Sequence, residues 1–487
     1  MRYANPVLYG DYSDPDVIRA GDRFYLISSS FNYMPGIPVL RSGDLTHWET
    51  AGYAAARLPF PRYDRPQHKK GLWAPSIRFA NGRFYVYVCM PDEGLFAYTA
   101  EDPAGPWECT WVKDVSGWID PCPLFDDDGQ AYLLHGFAAS RCGINNILYL
   151  HRMRPDGLEI LDKGRLVYNG ADHGDVTVEG PKIYRRGGWY YILCPAGGVK
   201  TGYQLALRSG SPWGPYERRV VLAQGDTPVN GPHQGGWVED GHGGDWFVHF
   251  QDVGPYGRIP HLQPVAWEDG WPVIGDRGEP VPGGETPFPD SGERIVMTDR
   301  FQTALNRQWQ WQANPQPERA GIVPGGLLLT AAPAAALGGD PAFLSQLMQA
   351  RDFDMTVRLR VPEDFRARAG IAMLGGGWRG LALTGEAALL FRGSLTERHR
   401  LEDDLCEESD VCRLPRQGTE AELTLKVRDG RCAFFLNGEA AGGWEPFTGD
   451  GWTSARPGIF CYAPAGGAGE KALFRSCVFT DPEGREI

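Results

Sequence analysis

The chain has 487 residues, a length for which two domains are the default expectation, and a net charge of −13, which argues against a nucleic-acid or anionic-membrane partner. Glycine, proline and aromatic residues are abundant and strand patterns far outnumber helical ones, so we predict an all-β protein. No run approaches the roughly 20 apolar residues of a membrane span, and no signal-peptide pattern follows Met1. We therefore expect a cytoplasmic protein with no membrane partner.

Five aromatic strands of similar pattern recur in the first half of the chain. Each follows a turn rich in glycine, asparagine or aspartate, which is a strong short-range signal of a β-hairpin. The strands cover residues 23–27, 83–87, 130–134, 189–193 and 245–249. Successive units begin roughly 50 to 60 residues apart, a period typical of radial repeats of about four strands. The sequence therefore predicts a five-bladed β-propeller.

A segment containing proline precedes each aromatic strand at a similar distance. These segments are Asp14-Pro15, Ala74-Pro75, Asp120-Pro121, Glu179-Gly180-Pro181 and Gly231-Pro232-His233. The innermost strand of every blade faces the propeller axis, so residues in equivalent register converge there. We therefore expect Asp14, Asp120 and Glu179 to meet, with His233 in that register of the fifth blade. One aspartate before proline usually only caps a turn, but three carboxylates in matching register make that explanation weak.

The second part of the chain has a different strand pattern and no visible catalytic constellation. Residues 275–292 are rich in glycine, proline and charged residues, which predicts a linker. Beyond them, alternating strands and a meander turned at Asp429-Gly430 and Asn437-Gly438 indicate an antiparallel sheet. We predict a propeller domain, the catalytic one, over residues 1–290 and a jelly-roll β-sandwich over residues 291–487. The sandwich is a candidate for a further wall of the site.

The motifs of the first part also resemble those of glycoside hydrolase family 43. The resemblance spans residues 5 to 275 and rests on Asn5-Pro6-Val7-Leu8, Asp14-Pro15-Asp16-Val17-Ile18-Arg19, Phe31 to Pro35-Gly36, Gly71-Leu72-Trp73-Ala74-Pro75, Trp118-Ile119-Asp120-Pro121, Val178-Glu179-Gly180-Pro181 and Gly257-Arg258. The second part resembles, more loosely, the concanavalin-A-like β-sandwich appended to the xylosidase-type members of that family.

The resemblance implies an inverting exo-glycoside hydrolase that releases xylose, arabinose or both from β-D-xylosides or α-L-arabinofuranosides of hemicellulose-derived oligosaccharides. It implies Asp14 as general base, Glu179 as general acid, and Asp120 as the residue that raises the pKa of the acid and orients the sugar. Asp14 is preferred to Asp16 because it stands directly before proline, although a regular strand would place both on one face. Inversion requires the acid and base to lie about 6.5 to 9.5 Å apart, which two separate blades can supply.

Further residues are candidates for binding. Phe31 and Trp73 are candidate apolar platforms for the sugar ring, with core packing as the alternative, and Arg258 is a candidate donor to a sugar hydroxyl. The resemblance places a histidine, His233, beneath the site, in some members at a calcium or water site. A calcium ion held through water and a purely structural histidine both stay open. No cofactor is expected to be required, and homo-oligomerisation is left open.

Two other classes compete with this interpretation. Another five-bladed glycosidase, arabinanase-like or fructosidase-like, is one. The fructosidase type would carry Arg-Asp-Pro and Glu-Cys, yet only Glu108-Cys109 occurs here, and a retaining mechanism requires carboxyl groups about 5 to 5.5 Å apart. A non-catalytic sugar-binding propeller would keep the aromatic residues and Arg258 but not three acids. The sequence does not separate xylose from arabinofuranose, because the two pentoses present similar hydroxyls.

Overall fold

The structure is a computed structural model that describes residues 1–398, 402 and 404–487. Its first part contains five four-stranded antiparallel sheets, each built from four strands consecutive in the chain, which confirms the predicted five-bladed β-propeller. In chain order the strands are β1 (Arg2–Ala4); in blade one β2 (Asp16–Ala20), β3 (Arg23–Ile27), β4 (Gly36–Ser42) and β5 (Glu49–Ala55); in blade two β6 (Trp73–Ala80), β7 (Arg83–Met90), β8 (Gly94–Ala100) and β9 (Glu108–Asp114); in blade three β10 (Trp118–Phe125), β11 (Ala131–Phe137), β12 (Ile147–Met153) and β13 (Arg165–Asn169); in blade four β14 (Lys182–Arg186), β15 (Trp189–Ala196), β16 (Tyr203–Ser209) and β17 (Glu217–Ala223); in blade five β18 (His233–Glu239), β19 (Asp245–Asp252), β20 (Arg258–Glu268) and β21 (Trp271–Ile274); and then β22 (Gly283–Glu285).

The second strand of each blade is apolar on both faces because each face packs against a different neighbouring blade. In β7, Phe84 and Val86 pack in the cluster shared with blade one, whereas Tyr85 and Tyr87 pack in the cluster shared with blade three. Side chains alternate between the two faces of a strand, so a strand that is buried on both faces is apolar at successive positions. This explains the continuous aromatic runs on which the sequence prediction rests. The innermost strand of blade one contacts those of blades two and five, which closes the ring.

The amino-terminal segment ties blade five to the chain that follows it. Strand β1 pairs antiparallel with β22, and the side chain of Asn5 donates to the carbonyl oxygens of Leu262 (2.8 Å) and Val281 (2.9 Å) and accepts from the Leu262 N–H (2.8 Å). The segment predicted as a linker, residues 275–292, is therefore fixed against the propeller through β22.

The second part is a β-sandwich of two eight-stranded sheets, as predicted. Its strands are β23 (Gln310–Trp311), β24 (Ala320–Val323), β25 (Gly326–Thr330), β26 (Ala332–Pro333), β27 (Leu344–Ser345), β28 (Phe353–Arg360), β29 (Arg368–Leu374), β30 (Gly377–Leu383), β31 (Ala387–Thr396), β32 (Leu405–Pro415), β33 (Glu420–Arg428), β34 (Arg431–Leu436), β35 (Glu439–Ala440), β36 (Glu445–Pro446), β37 (Arg456–Ala463) and β38 (Lys471–Thr480). One sheet has the order β23-β27-β37-β29-β30-β31-β32 with β26 on β37, and the other has the order β24-β25-β38-β28-β33-β34-β35 with β36 on β34. The domain boundary between residues 290 and 291 stays a prediction.

Helical structure in residues 1–398, 402 and 404–487 is confined to short segments. One α-helix, α1, spans Ala139–Cys142, and 3-10 turns span Pro61–Asp64, Gly170–His173, Gly254–Tyr256, Pro317–Arg319 and Leu337–Gly339. None of the helices in the described part of the chain has the length and hydropathy needed to span a membrane.

The sandwich packs directly on the propeller through polar contacts. Met34 and Trp311 exchange two backbone hydrogen bonds of 2.8 and 2.6 Å. The buried carboxylate of Asp11 accepts from the backbone N–H of Arg258 in blade five (2.9 Å) and from that of Ser454 in the sandwich (2.7 Å). Asp11 therefore holds the sandwich loop before β37 against the propeller face that carries Arg258.

We expect Asn5→Ala to lower the free energy of unfolding by about 2 to 4 kcal/mol, because three hydrogen bonds are lost and partly buried backbone groups of blade five are left unpaired. Urea denaturation followed by fluorescence measures this change. Asn145→Ala is the matched control, since Asn145 is exposed. Equal midpoints for the two variants would show that the amino-terminal segment does not stabilise the propeller.

Candidate active site

One residue at the entrance of each innermost strand has a left-handed backbone conformation. These axial residues are Asp14 (φ 55°), Ala74 (φ 37°), Asp120 (φ 56°), Gly180 (φ 53°) and Gln234 (φ 37°). A proline follows the axial residue in blades one to four, and Gly235 follows it in blade five. The sequence prediction placed Glu179 and His233 in this register, and it was wrong by one residue in both blades. In blade four the left-handed residue is Gly180, directly after Glu179, and in blade five it is Gln234, directly after His233. Glu179 and His233 therefore hold the position that Trp73 holds before Ala74 in blade two.

Four of the five axial residues, all except Gly180, line a cavity of about 190 Å³. The structure brings six of the seven predicted site residues to its lining, and the complete lining consists of Asp14, Phe31, Trp73, Ala74, Ile119, Asp120, Glu179, Val199, Gln234, Arg258 and Trp452. The seventh, His233, is fully buried behind Glu179.

Asp14 is held by two donors that come from blades one and five. Its Oδ2 accepts from the Ser29 hydroxyl (2.6 Å) and its Oδ1 accepts from Nη1 of Arg258 (3.1 Å). The Ser29 oxygen in turn accepts from the backbone N–H of Ala74 (2.7 Å). The axial alanine of blade two therefore orients Asp14 through its backbone. Arg258, the predicted donor to a sugar hydroxyl, also fixes this carboxylate.

Asp16 does not share the cavity with Asp14. Its Oδ2 accepts from the backbone N–H of Ile77 (2.9 Å) and from Nη1 of Arg78 (2.8 Å), so it joins blade one to blade two. The expectation that the two aspartates share a face fails because β2 begins at Asp16, whereas Asp14 lies before the strand with φ at 55°. The geometry therefore separates a cavity residue from a structural one.

Asp120 is buried in the cavity floor, and its Oδ2 accepts from the backbone N–H of Gly180 (2.7 Å). Burial, followed by the negative charges of Glu179 and Asp14, raises the pKa of Asp120 to about 8, against the lowering effects of the Gly180 N–H and the Lys182 cation. The prediction that Asp120 raises the pKa of the acid Glu179 stays a prediction. Two interacting carboxyl groups titrate together, so the pair of Asp120 and Glu179 holds a proton at neutral pH.

Glu179 reaches into the cavity and is fixed from behind by a histidine. Its Oε1 accepts from Nε2 of His233 at 2.9 Å, and the side chain of Glu179 is 25% exposed while that of His233 is fully buried. Nδ1 of His233 has no hydrogen-bond partner among the described residues. His233 therefore lies where it orients the carboxyl group without reaching the cavity itself.

The residues at His233 do not fit a calcium ion, which takes six to eight oxygen ligands. Among the described residues, the only set of three or more histidine, cysteine or carboxylate atoms close enough to share an ion is Asp44, His47 and Asp290. None of those three lines the cavity, and Asp44 already accepts from the backbone N–H groups of Thr46 and His47 at 2.7 Å. A calcium ion beneath the site stays a prediction without a protein ligand set.

Aromatic rings from both domains form one side of the cavity. The rings of Trp73 and Trp452 meet edge to face with centroids 4.8 Å apart, and Phe31 lies 6.5 Å from Trp73. Trp452 belongs to the loop before β37 in the sandwich, and its side chain is 40% exposed. Phe31 and Trp73 therefore line the cavity and also pack in a buried cluster with Ile119 and Ala138, and their role as sugar platforms stays a prediction. The sandwich supplies a further wall.

Sequence reasoning missed Gln234 and Trp452. Counting back from the glycine that replaces proline in blade five would have found Gln234, because Gly235 holds the position that proline holds in the other blades. No periodic signal marks Trp452, since its place depends on how the two domains dock.

Comparison with known families places both parts of the chain. The family model of glycosyl hydrolases family 43 matches residues 3–272, and the model of the beta xylosidase C-terminal concanavalin A-like domain matches residues 298–480.

Individual relatives agree with these matches. A protein of Xylanibacter ruminicola named "Putative beta-xylosidase" is 43% identical over 373 residues, which are 74% of this chain and 69% of that protein. The non-reducing end alpha-L-arabinofuranosidase BoGH43B of Bacteroides ovatus is 34% identical over 345 residues, which are 64% of this chain and 61% of that protein. The chain thus spans about two thirds of the length of these curated relatives.

Solved structures share the fold of the whole chain. The structure of Bacteroides ovatus Xyloglucan PUL GH43B superimposes with a TM-score of 0.82 at 26% identity and covers 99% of this chain and 100% of that one. The GH43 BlXynB protein from Bacillus licheniformis superimposes with a TM-score of 0.82 at 21% identity, over 99% of this chain and 100% of that one. The second likeness shows the fold alone.

We expect Asp120→Asn to change the pH dependence of stability. A carboxyl whose pKa rises on folding from 3.8 to about 8 keeps a proton that the unfolded chain has already released, so wild-type stability falls as the pH rises through that interval. Asparagine still accepts from the Gly180 N–H but does not titrate. The stability of Asp120→Asn relative to the wild type should therefore increase from pH 4 to about pH 8.

Denaturant midpoints measured across that interval test this prediction. Asp127→Asn is the matched control, because Asp127 lies in the same blade and its side chain is 89% exposed. Parallel pH profiles for wild type and Asp120→Asn would contradict a raised pKa at Asp120.

Proposed function

Because the chain belongs to glycosyl hydrolase family 43, an inverting family of glycoside hydrolases, we propose that it is an exo-acting enzyme that releases xylose or arabinose from β-D-xylosides or α-L-arabinofuranosides of hemicellulose-derived oligosaccharides. We propose both xylose and arabinose because this chain is similar to one relative named putative beta-xylosidase and to one named alpha-L-arabinofuranosidase. Both relatives are similar to this chain over 345 residues or more, and the two pentoses present similar hydroxyls.

The single observation that carries the proposal is the convergence of three carboxylates from three blades on one small cavity. Asp14, Asp120 and Glu179 line a cavity of about 190 Å³, which is below the roughly 300 to 1,000 Å³ of sites for drug-sized ligands. A space of that size, with aromatic rings on one side, supports the binding of one sugar ring. Trp452 supports exo action, because it adds a bulky ring from the second domain to the lining of this small cavity.

We assign the chemistry to these three residues. Asp14 takes a proton from the water that attacks the anomeric carbon, and Glu179 gives a proton to the glycosidic oxygen as its bond to that carbon breaks. Attack opposite to the leaving oxygen inverts the anomeric configuration. The proton that Glu179 gives is the one that the pair of Asp120 and Glu179 holds at neutral pH, so Asp120 is the carboxylate of the pair in this step and orients the sugar. Arg258 holds Asp14 and presents further N–H groups to the cavity.

The alternatives fit the geometry less well. Glu108, the glutamate of the fructosidase-like Glu108-Cys109 pair, lies on β9 with its side chain 80% exposed, and it does not line the cavity. A sugar-binding propeller without activity has no need for three buried or half-buried acids in one cavity, because charge burial is costly. An arabinanase-like enzyme that cuts within chains requires an open cleft, whereas here the ring of Trp452 lines one side of a small cavity. A cytoplasmic location and independence from cofactors stay predictions, and homo-oligomerisation stays open.

Leaving-group dependence separates the two catalytic roles. We expect Asp14→Ala to lower kcat by about 10² to 10⁴-fold on every substrate, because a general base acts on the attacking water. Glu179→Ala should lose a similar factor on poor leaving groups but much less on dinitrophenyl glycosides, which leave without a proton. Rates on dinitrophenyl, nitrophenyl and alkyl β-xylosides and α-arabinofuranosides measure this, and NMR of the first-formed anomer reports inversion.

Glu108→Gln is the control for this series and should keep wild-type rates, because Glu108 is exposed and outside the cavity. The assignment of roles would be refuted if Asp14→Ala kept the wild-type kcat. It would also be refuted if Glu179→Ala lowered kcat by the same factor on good and poor leaving groups. Retention of configuration would refute the inverting mechanism.

We expect Trp452→Ala to raise KM for a nitrophenyl pentoside by about 2 to 12-fold, since an aromatic pair contributes about 0.5 to 1.5 kcal/mol beyond its buried area. The effect on kcat should be smaller, because Trp452 contacts no catalytic carboxylate in the structure. Trp444→Ala is the matched control, since Trp444 lies in the same domain with 39% exposure. An unchanged KM for Trp452→Ala would show that the sandwich does not shape the binding site.

A further inference from the structure

The fifth axial residue, Gln234, has a backbone conformation that a glutamine adopts only at a cost. Its φ of 37° lies in the left-handed region, where a residue other than glycine is strained by about 1 to 3 kcal/mol. Glycine would occupy the position without that cost. Strain of this kind persists where the surrounding structure holds the residue for a purpose, so the side chain at this position requires an explanation.

The other four axial residues each contribute to the site. Asp14 and Asp120 present carboxylates, whereas Ala74 and Gly180 use their backbone N–H groups, which donate to Ser29 and to Asp120 at 2.7 Å. Gln234 is the axial residue whose contribution the proposed mechanism has not used. Of the five axial residues, Gln234 is the one whose side chain is polar and uncharged.

The side chain of Gln234 is buried, lines the cavity, and has an unsatisfied polar atom. The residue is 6% exposed, and its Oε1 has no hydrogen-bond partner within the described part of the chain. A buried amide oxygen without a partner costs about 1 to 3 kcal/mol, so a donor supplied by a ligand would be bound at a gain. A carboxamide both donates and accepts, which suits a sugar hydroxyl.

The neighbouring blade leaves room for this side chain. A Cβ atom at Gly180 would stand 2.6 Å from Cγ of Gln234, so any other residue at position 180 would push the glutamine away. Gly180 directly follows Glu179, and His233, which directly precedes Gln234, hydrogen-bonds Glu179. Gln234 is therefore placed next to the side of the cavity that holds the proposed acid.

We propose that Gln234 is a specificity-determining residue whose carboxamide hydrogen-bonds a hydroxyl of the sugar ring that is cleaved. The inference rests on the proposed function, because it concerns the sugar bound in the same cavity. An uncharged side chain suits this position, since a fourth carboxylate beside Asp14, Asp120 and Glu179 would add to their mutual repulsion.

The test pairs two variants with substrates that lack single hydroxyls. Gln234→Leu removes the polar group at similar volume, and Gln234→Gly removes the side chain while relieving the backbone strain, so at least one of them is expected to fold. The ratio kcat/KM is measured for nitrophenyl β-D-xyloside and its 2-, 3- and 4-deoxy analogues, or for the corresponding arabinofuranoside series where that is the better substrate.

Both variants should lose about 10 to 100-fold in kcat/KM on the parent glycoside. On one deoxy analogue, the one lacking the contacted hydroxyl, wild type and variants should agree within about threefold. A purely structural role for Gln234 would lower activity on all analogues by the same factor. Equal deoxy penalties in wild type and in both variants would therefore overturn the inference.

Gln204→Leu is the matched control. Gln204 is a fully buried glutamine of blade four that does not line the cavity. Its replacement by leucine therefore measures how a buried Gln→Leu substitution in the propeller core affects activity without removing a cavity residue. Its deoxy penalties should equal those of the wild type, and melting temperatures of all variants report folding.

The activity of the wild type shows whether the proposed function fails or only the Gln234 contact fails. A wild type that cleaves neither pentoside refutes the proposed substrates, and the Gln234 contact is then tested with the deoxy series of whichever nitrophenyl glycoside it cleaves. A wild type that cleaves no glycoside overturns the inference together with the proposed function.

Discussion

The left-handed turn before each innermost strand is the constraint on which the site depends. A residue at positive φ reverses the direction of its own side chain and of its neighbouring amide relative to a regular strand. Repeated at Asp14, Ala74, Asp120, Gly180 and Gln234, this turn places five side chains or N–H groups around one axis. Aspartate tolerates this conformation better than most residues, and glycine adopts it freely. The backbone geometry thus favours some of the same residues that the chemistry requires.

The turns act in pairs across neighbouring blades. The amide of Ala74 holds the Ser29 hydroxyl that holds Asp14, and the amide of Gly180 holds Asp120. Each of these two carboxylates is therefore oriented by the blade that follows in the ring, and the packing of aromatic strands between blades fixes those distances. The docked sandwich adds to this arrangement. Asp11 links the amides of Arg258 and Ser454, so the arginine that binds Asp14 and the loop that bears Trp452 share one buried carboxylate.

The sequence was sufficient for the fold of the propeller and for the three acids because a blade is a local unit. Its hairpin turns, its aromatic strands and the proline after the axial residue all lie within about 60 residues of one another. In blade four the error of one residue arose because the acid Glu179 was chosen, although Gly180 is the residue directly before proline. In blade five it arose because Gly235 replaces the proline that follows the axial residue in the other blades. Long-range features such as the Arg258–Asp14 bond and the position of Trp452 depend on docking, which no local pattern encodes.

The environments of the carboxylates differ enough to separate their roles. Asp14 has a guanidinium partner in Arg258, whereas burial and like charges raise the pKa of Asp120 to about 8. The cavity thus holds one carboxylate paired with a cation and another carboxyl group that keeps a proton at neutral pH. That separation limits what the remaining axial position can hold, because a further acid would disturb it and a cation would pair with one of the acids. A neutral side chain that both donates and accepts hydrogen bonds leaves the charges as they are, which is a physical reason for glutamine at position 234.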